Sequence, residues 1–410
     1  MIKKVKWLFL WIGVVAAMTG CTKLPDVGDA DVTPSEWQLI LDSSKKSTLN
    51  IYQDYTDPLA KNWMDMVMKP YMQDKLGIKV SINPLNLGQM LPKLKNEKLN
   101  EVAIGEADLL ILTKRGFDQL KDAGVLYAPF SNKLPNAALN QVGASYENMW
   151  LDGRLIDKMA TEIGKNQLVF FYDEDKMEKP PSGLSDLRKY VIDNPGKFTF
   201  PSLDTLEGQA FINTLAASLC DQKSLYEGKL TIAKQQALFA PVLGFLNDIR
   251  PYMWMQGKSL PKNAVELDRL FNEGQVSFSM SLDQNRATVL VKEEKYPSGS
   301  KAFVLSTGTT GFGQYAVIPF NSVNKSGAMS LINELLSADM QGSKYNAKNW
   351  GNLPSIDPMK LEKTESIKIT GVTVKRNGLK EADLAAVRLP QIPSDKAYQL
   401  ILLLKKSLSW

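Results

Sequence analysis

A chain of 410 residues, 44% hydrophobic and 23% charged, is long enough for two cores and too apolar for wholesale disorder. It has no histidine and two cysteines, Cys21 and Cys220, which excludes histidine-based triads, His-ligated zinc, all-cysteine metal clusters and a disulfide framework. The formal charge is +5, but residues 1–20 hold three lysines and no acid, so the remainder carries +2 and no nucleic-acid partner follows from it.

Lys3, Lys4 and Lys6 precede Trp7 to Ala17, an apolar run too short to span a bilayer, and Met18-Thr19-Gly20-Cys21 follows. This is the plan of a secretory signal peptide over residues 1–20. A cysteine directly after a small residue resembles the lipobox of bacterial lipoproteins, although Met18 stands where leucine is usual. The resemblance implies cleavage before Cys21 and lipid on that residue, anchoring the chain to a membrane that faces the periplasm or the cell exterior. Residues 21–46, punctuated by Pro25, Gly28 and Pro34, read as a flexible tether.

Beyond the tether, strands and helices alternate. Leu49–Tyr52 reads as a strand, and Asp57-Pro58 starts a helix with Leu59, Trp63, Val67 and Tyr71 on one face. Pro70 should kink that helix and Gly77 should stop it. Ile78–Ile82 is a second strand, 88–99 a helix, and Leu109–Leu112 a strand buried on both faces. A helix from Phe117 ends at Gly124. Later come a strand over Gln167–Tyr172, a helix capped by Ser185, a short strand over Lys197–Phe200 and a helix capped by Thr205. Asn263 and Glu266 make a capping box, Val276–Met280 and Ala316–Ile318 are strands, and 327–336 is a helix. Cys220 ends an apolar run and reads as a small core residue. The order is that of α/β lobes built on open sheets.

The segments also stand in a familiar order. Gly124–Phe130 comes first, with Leu134-Pro135-Asn136 behind it, then Gln167–Asp173 and Asn194–Pro201. Arg250–Trp254, Leu267–Phe271, Phe278–Ser281, Ile318-Pro-Phe-Asn321 and Ser326–Met329 follow. This order resembles the extracellular solute-binding proteins of bacterial ABC importers, and among them it looks most like the YnjB-type branch. The resemblance covers about residues 47–355. It implies a two-lobed, Venus-flytrap periplasmic-binding fold, each lobe an open mixed sheet flanked by helices, joined by crossover hinge strands. Lobe one would comprise 47–165 plus 310–350 and lobe two 167–308, with 351–410 as a helical segment packed on both. The implied partners are a small-molecule solute, an ABC permease and its ATPase; no cofactor is implied, and the chain is expected to be a monomer.

Mapped on that topology, the loops facing the cleft hold Tyr55, Thr56, Lys114, Arg115, Lys165, Glu207, Gly208, Ser281, Asp283, Asn285, Arg286 and Thr310 as ligand-binding candidates. Lys114, Lys165 and Arg286 stand where relatives are neutral or acidic, which points to an anionic or zwitterionic solute. The plainer alternative is that they are solvated surface residues. A cation held by Tyr55 with Asp54, Asp283 or Glu207 is the opposite reading. The tempting enzymatic motifs are four Ser-x-x-Lys matches, at Ser43, Ser259, Ser298 and Ser322. None has a companion Ser-Asp-Asn or Lys-Thr-Gly, so no catalytic residue is assigned. A carboxylate-based envelope hydrolase and a scaffold lipoprotein with a vestigial cleft remain the rival readings.

Overall fold

The computed structural model describes residues 32–53, 58–139, 150–151, 154–155, 157–228, 230–346, 348–372 and 377–410. Cys21, Tyr55 and Thr56 lie outside them. The tether expectation fails within the described part. Helix α1 (Pro34–Ser44) starts at a full capping box, with Thr33 Oγ1 accepting from Glu36 N and Glu36 reaching back to Thr33 N. Its Ile40 is buried against lobe one, because Trp37, Ile40 and Ser44 share one helical face.

Strand β1 (Thr48–Gln53) is followed by α2 (Pro58–Trp63), a π-helical turn over Met64–Met68 and α3 (Lys69–Leu76). Pro70 has no N–H to give, and Lys69 N bonds back to Met64 O across the wider turn. The buried face runs through Ala60, Met64, Met68 and Met72, with Trp63 buried beside it and Val67 and Tyr71 half-buried. Gly77 ends α3 at a φ of +68°, in the left-handed region. Then come β2 (Lys79–Pro84), α4 (Leu87–Leu99), β3 (Leu109–Leu112) and α5 (Lys114–Asp122). The two-residue strands β4 (Trp150–Leu151) and β5 (Arg154–Leu155) pair with each other, ahead of β6 (Thr161–Lys165).

Lobe two begins with β7 (Val169–Asp173), α6 (Leu184–Asp193), α7 (Leu206–Leu219), α8 (Gln222–Tyr226) and α9 (Ile232–Ile249). It continues through α10 (Ala264–Asn272), β8 (Ser279–Ser281), α11 (Arg286–Lys292) and β9 (Ser300–Phe303). Residues 197–200 join no sheet; Phe198 O accepts from Trp254 N and Lys197 O from Ser277 N instead. The chain returns through β10 (Gly313–Val317), α12 (Lys325–Leu335) and α13 (Ala338–Tyr345), and ends with α14 (Lys363–Thr370), α15 (Glu381–Ala385) and α16 (Ser394–Leu408).

Lobe one carries a five-stranded sheet in the order β2-β1-β3-β10-β6. β1 is parallel to β2 and β3, and β10 is antiparallel to β3 and β6, so the sheet is mixed. Successive residues of β3 point to opposite faces. Leu109 and Ile111 enter one core, and Leu110 and Leu112 enter another with Phe117 and Leu120. Lobe two carries an antiparallel sheet in the order β8-β7-β9, with Phe170 against Phe211 and Phe303. The lobes are joined by two antiparallel passages. Asn166 N bonds Phe312 O at 3.0 Å, and Leu168 N bonds Thr310 O at 2.8 Å. A Cβ at Gly311 would run into the Asn166 carbonyl, so glycine is required at this crossing.

Candidate functional site

The two passages bring the N-terminus of α5, in lobe one, opposite α7, in lobe two. Thr205 caps α7, its Oγ1 accepting from Gly208 N at 3.1 Å. Beyond the cap, Leu206, Gln209 and Asn213 fall on one helical face. That face, with Thr113 and Arg115 from lobe one and Phe312 from the hinge, lines a cavity of about 300 Å³. The remaining wall comes from the C-terminal segment. Ser394, Ala397, Tyr398, Ile401 and Lys405 recur along one side of α16 and close the cavity.

Helix α16 is held by both lobes. In lobe one, Ser394 Oγ bonds Asp118 Oδ2 at 2.8 Å, and the Arg115 guanidinium lies 4.2 Å from the centre of the Tyr398 ring. In lobe two, the buried Lys396 ammonium donates to the carbonyls of Ser224 (2.8 Å), Leu225 (3.0 Å) and Glu227 (2.9 Å). These carbonyls close the C-terminal end of α8, where a cation is favoured. Lys405 pairs with Asp204, and the Trp410 indole donates to Gly257 O at 2.8 Å.

The sequence profile described as "Bacterial extracellular solute-binding protein" matches residues 66–370. The chain belongs to this family. It is 25% identical to Protein YnjB of Escherichia coli strain K12 over 336 residues, which is 80% of this chain and 84% of that protein. Iron-bound HitA from Pseudomonas aeruginosa superposes with a TM-score of 0.59 at 16% identity, covering 89% of this chain and 100% of HitA. AfuA from Actinobacillus pleuropneumoniae, with fructose-6-phosphate bound, gives 0.57 at 16% identity over 89% and 99%. A solute-binding protein from Bordetella parapertussis gives 0.61 at 12% over 88% and 98%. At such identities the structural likeness is one of fold. AfuA and the Bordetella protein are described as binding proteins, and among the described residues no helix is long and apolar enough to cross a membrane.

In this solute-binding protein the three expected cations are not gathered at one point. Lys114 is fully buried, and its ammonium bonds Asp118 Oδ2 at 2.7 Å. Arg286 gives both Nε, at 2.8 Å, and Nη2 to Asp268 Oδ2, while Ser279 and Tyr296 donate to the other oxygen of Asp268. Burial opposes the Arg286 charge, but Asp268 more than offsets it, so the guanidinium's pKa is raised. Burial pushes the Tyr296 hydroxyl well above its ordinary pKa, and the Asp268 charge adds to this. Lys165 is buried beside the hinge, its pKa lowered by burial and by Arg388. These side chains are structural contacts first.

The other candidates divide between two places. Arg115 alone of them lines the cavity, while Glu207 and Gly208 sit in the first turn of α7, Gly208 packed on the carbonyls of Pro201 and Ser202. Thr310 ties the hinge to α7, its N–H donating to Thr214 Oγ1 and its hydroxyl to Ala210 O, each at 3.0 Å. Ser281, Asp283 and Asn285 form a turn at the end of β8. Ser281 Oγ accepts from Asp283 N, and Asp283 Oδ1 accepts from Asn285 N. This turn meets Gly351, whose carbonyl accepts from Gln284 Nε2 at 3.0 Å. Asn285 is buried there, and among the described residues neither polar atom of its side chain has a partner.

Sequence reasoning missed Asn213, Gln209, Tyr398 and Lys405. The first two were legible as the i, i+3, i+7 face that continues from Leu206. The last two lie in the tail, which matched the family poorly. Lys344 was also missed. It is buried at the hinge between Trp350 and the Ile163 carbonyl, and burial lowers its pKa from 10.5 to about 7, with Glu162 opposing and Lys165 adding to the shift. Cys220 is buried and its thiol is pushed up to about 11, which suits a core residue and disfavours the reactive thiolate.

Proposed function

We propose that this protein is the solute-capturing lipoprotein of an ABC import system. It binds a small solute between its lobes and presents the complex to a membrane permease. The observation that supports this most strongly is the 300 Å³ cavity whose walls come from lobe one, lobe two and the hinge together. A ligand filling that space touches both lobes, so binding energy and lobe closure are coupled. Arg115 in the wall favours an anionic or zwitterionic solute. The basic and apolar stretch before Cys21 supports lipid anchoring at that residue, with the lobes held outside the membrane.

Two measurements test the two halves of this reading. A thermal-shift screen over amino acids, carboxylates, phosphate esters, polyamines and oxyanions should yield at least one solute that raises Tm by several degrees, since it binds only the native state. A screen in which every class leaves Tm unchanged would reject solute capture. Cys21→Ser should abolish lipid labelling and release the mature protein from membranes. Unchanged acylation of that variant would reject the anchor.

A further inference from the structure

The turn that follows α4 in lobe one is an exposed apolar surface. Leu99 is 82% exposed and Ile104 73%, and Val102 and Ala103 between them are exposed as well. Single exposed residues such as Ile232 and Val265 are ordinary on a protein surface, but a run of this kind marks contact with something apolar.

The turn is built to hold this shape. Glu101 takes a φ of +52°, a left-handed conformation that is costly for a residue with a Cβ. Asn321 is buried beneath it and donates to Glu97 Oε2 at 2.9 Å and to the Val102 carbonyl at 3.3 Å. The Asn321 carbonyl accepts from Gly105 N at 2.9 Å, and a Cβ at Gly105 would strike the Asn321 side chain. Val323, exposed two residues beyond Asn321, extends the apolar surface. A turn braced in this way loses little further freedom on contact. Charge steers it toward neither an acidic nor a basic partner, because Lys93, Lys95 and Lys98 stand against Glu97, Glu101 and Glu106.

What meets this surface follows from where Cys21 is joined to the lobe. Asn324 Nδ2 donates to Thr48 O at 3.2 Å, and Asp108, just ahead of β3, accepts from Asn50 N at 2.9 Å, so the turn lies toward the N-terminal ends of β1 and β3. Helix α1 leads into that same end through residues 45–47. Its 11 residues are about 16 Å long. Eleven residues separate Cys21 from Thr33, and they reach up to roughly 40 Å. A bilayer that holds lipid on Cys21 is therefore within reach of the turn. Joined this closely, a contact too weak to hold a free protein becomes well populated.

We infer that residues 99–104, with Val323, form a tip that rests lobe one on the lipid surface to which Cys21 is anchored. This rests on the lipid-anchor reading and goes beyond it. The solute cavity, entered through Thr113 and Arg115, lies beyond the opposite end of β3, on the far side of lobe one from the bilayer. The tip contact is a resting pose that a permease must displace, which suits a few apolar side chains at the interface rather than a spanning helix.

The test is independent of native lipidation. The chain has no histidine, and Cys220 is buried. Residues 22–410 behind an N-terminal hexahistidine tag are held on vesicles of phosphatidylethanolamine and phosphatidylglycerol doped with a nickel-chelating lipid, and one introduced cysteine carries the environment-sensitive dye NBD. The dye at Ile104→Cys should move to shorter wavelength and brighten by about 2-fold or more on the vesicles, while the dye at Val265→Cys, on lobe two, should not change. Adding Leu99→Glu to Ile104→Cys should remove most of the response and leave Tm unchanged, since residue 99 is exposed. Equal responses at residues 104 and 265, or a response at 104 that Leu99→Glu leaves intact, would overturn the inference. A response at 104 that appears without vesicles as the protein concentration rises would also overturn it, because a second copy would then cover the tip. The tag stands in for the lipid, so a failure of acylation at Cys21 would reject the native anchor without deciding this result.

Discussion

Ending the chain at Ile392 is expected to lower Tm by roughly 5 °C or more and to let the two lobes move apart. The lost helix, α16, keeps Lys396, Leu400, Leu404 and Leu408 within 1% of full burial, against surfaces of α5, α7 and α9. Its removal bares those apolar surfaces and strips the ammonium from the carbonyls of Ser224, Leu225 and Glu227. It also cuts the links from Asp118 to Ser394 and from Arg115 to Tyr398, which tie lobe one to a helix seated on lobe two. Small-angle scattering should show a larger radius of gyration for the shortened chain than for the intact one. Lys396→Ala, which removes the three carbonyl bonds and the buried stem of the side chain, should cost about 2–3 kcal/mol. An unchanged radius of gyration in the shortened chain would mean that the hinge passages alone set the angle between the lobes.

Replacing Lys344 with methionine is expected to stabilise the protein by roughly 1–3 kcal/mol at pH 7. The buried ammonium sits against Trp63, Met64, Ile111 and Trp350, an environment that suits a neutral chain. Its folded pKa of about 7 lies below the ordinary 10.5, so between those values the unfolded chain holds a proton that the folded chain has released. Raising the pH through this window therefore favours folding, and Lys344 contributes a penalty at neutral pH that disappears toward pH 10.5. Methionine has no such proton, so urea unfolding at several pH values should show a flatter rise for the variant over that range. The opposing loss is the ammonium's bond to the Ile163 carbonyl, which keeps its bond from Gln341 Nε2 at 2.9 Å. A variant less stable than the wild type at pH 7, with the same pH dependence, would contradict the assignment.

Much of the frame was legible because it obeys local rules. The continuous apolar run at Leu109–Leu112 could only be a strand covered on both faces, and it is. Thr205 was readable as a cap because a hydroxyl three residues before a helical glycine has one obvious use. What was not legible depends on distant partners. Lys114 reads as a cleft cation until Asp118 is seen four residues on; that spacing was in the sequence and was not used. Arg286 gives no such warning, because Asp268 lies on α10 and meets it only through the fold. The buried series Ala60, Met64, Met68 and Met72 keeps the four-residue period but stands one residue on from the expected face, of which Trp63 alone is buried; a period fixes the spacing of a face and not which neighbouring row the fold covers. The largest omission is α16. Its leucines predict a helix with a buried face, but only the fold places that face across the junction of the lobes.

Solute capture between the lobes is tested most directly by titrating the strongest solute of the thermal-shift screen into the wild type and into Gln209→Trp. Gln209 is half-buried on the cavity face of α7, so an indole there fills the space without entering the core of lobe two. The wild type should bind one solute per chain with heat that saturates, and Gln209→Trp, folded with a similar Tm, should lose at least about 100-fold in affinity. Equal binding by the two proteins would place the solute elsewhere and contradict capture in this cavity.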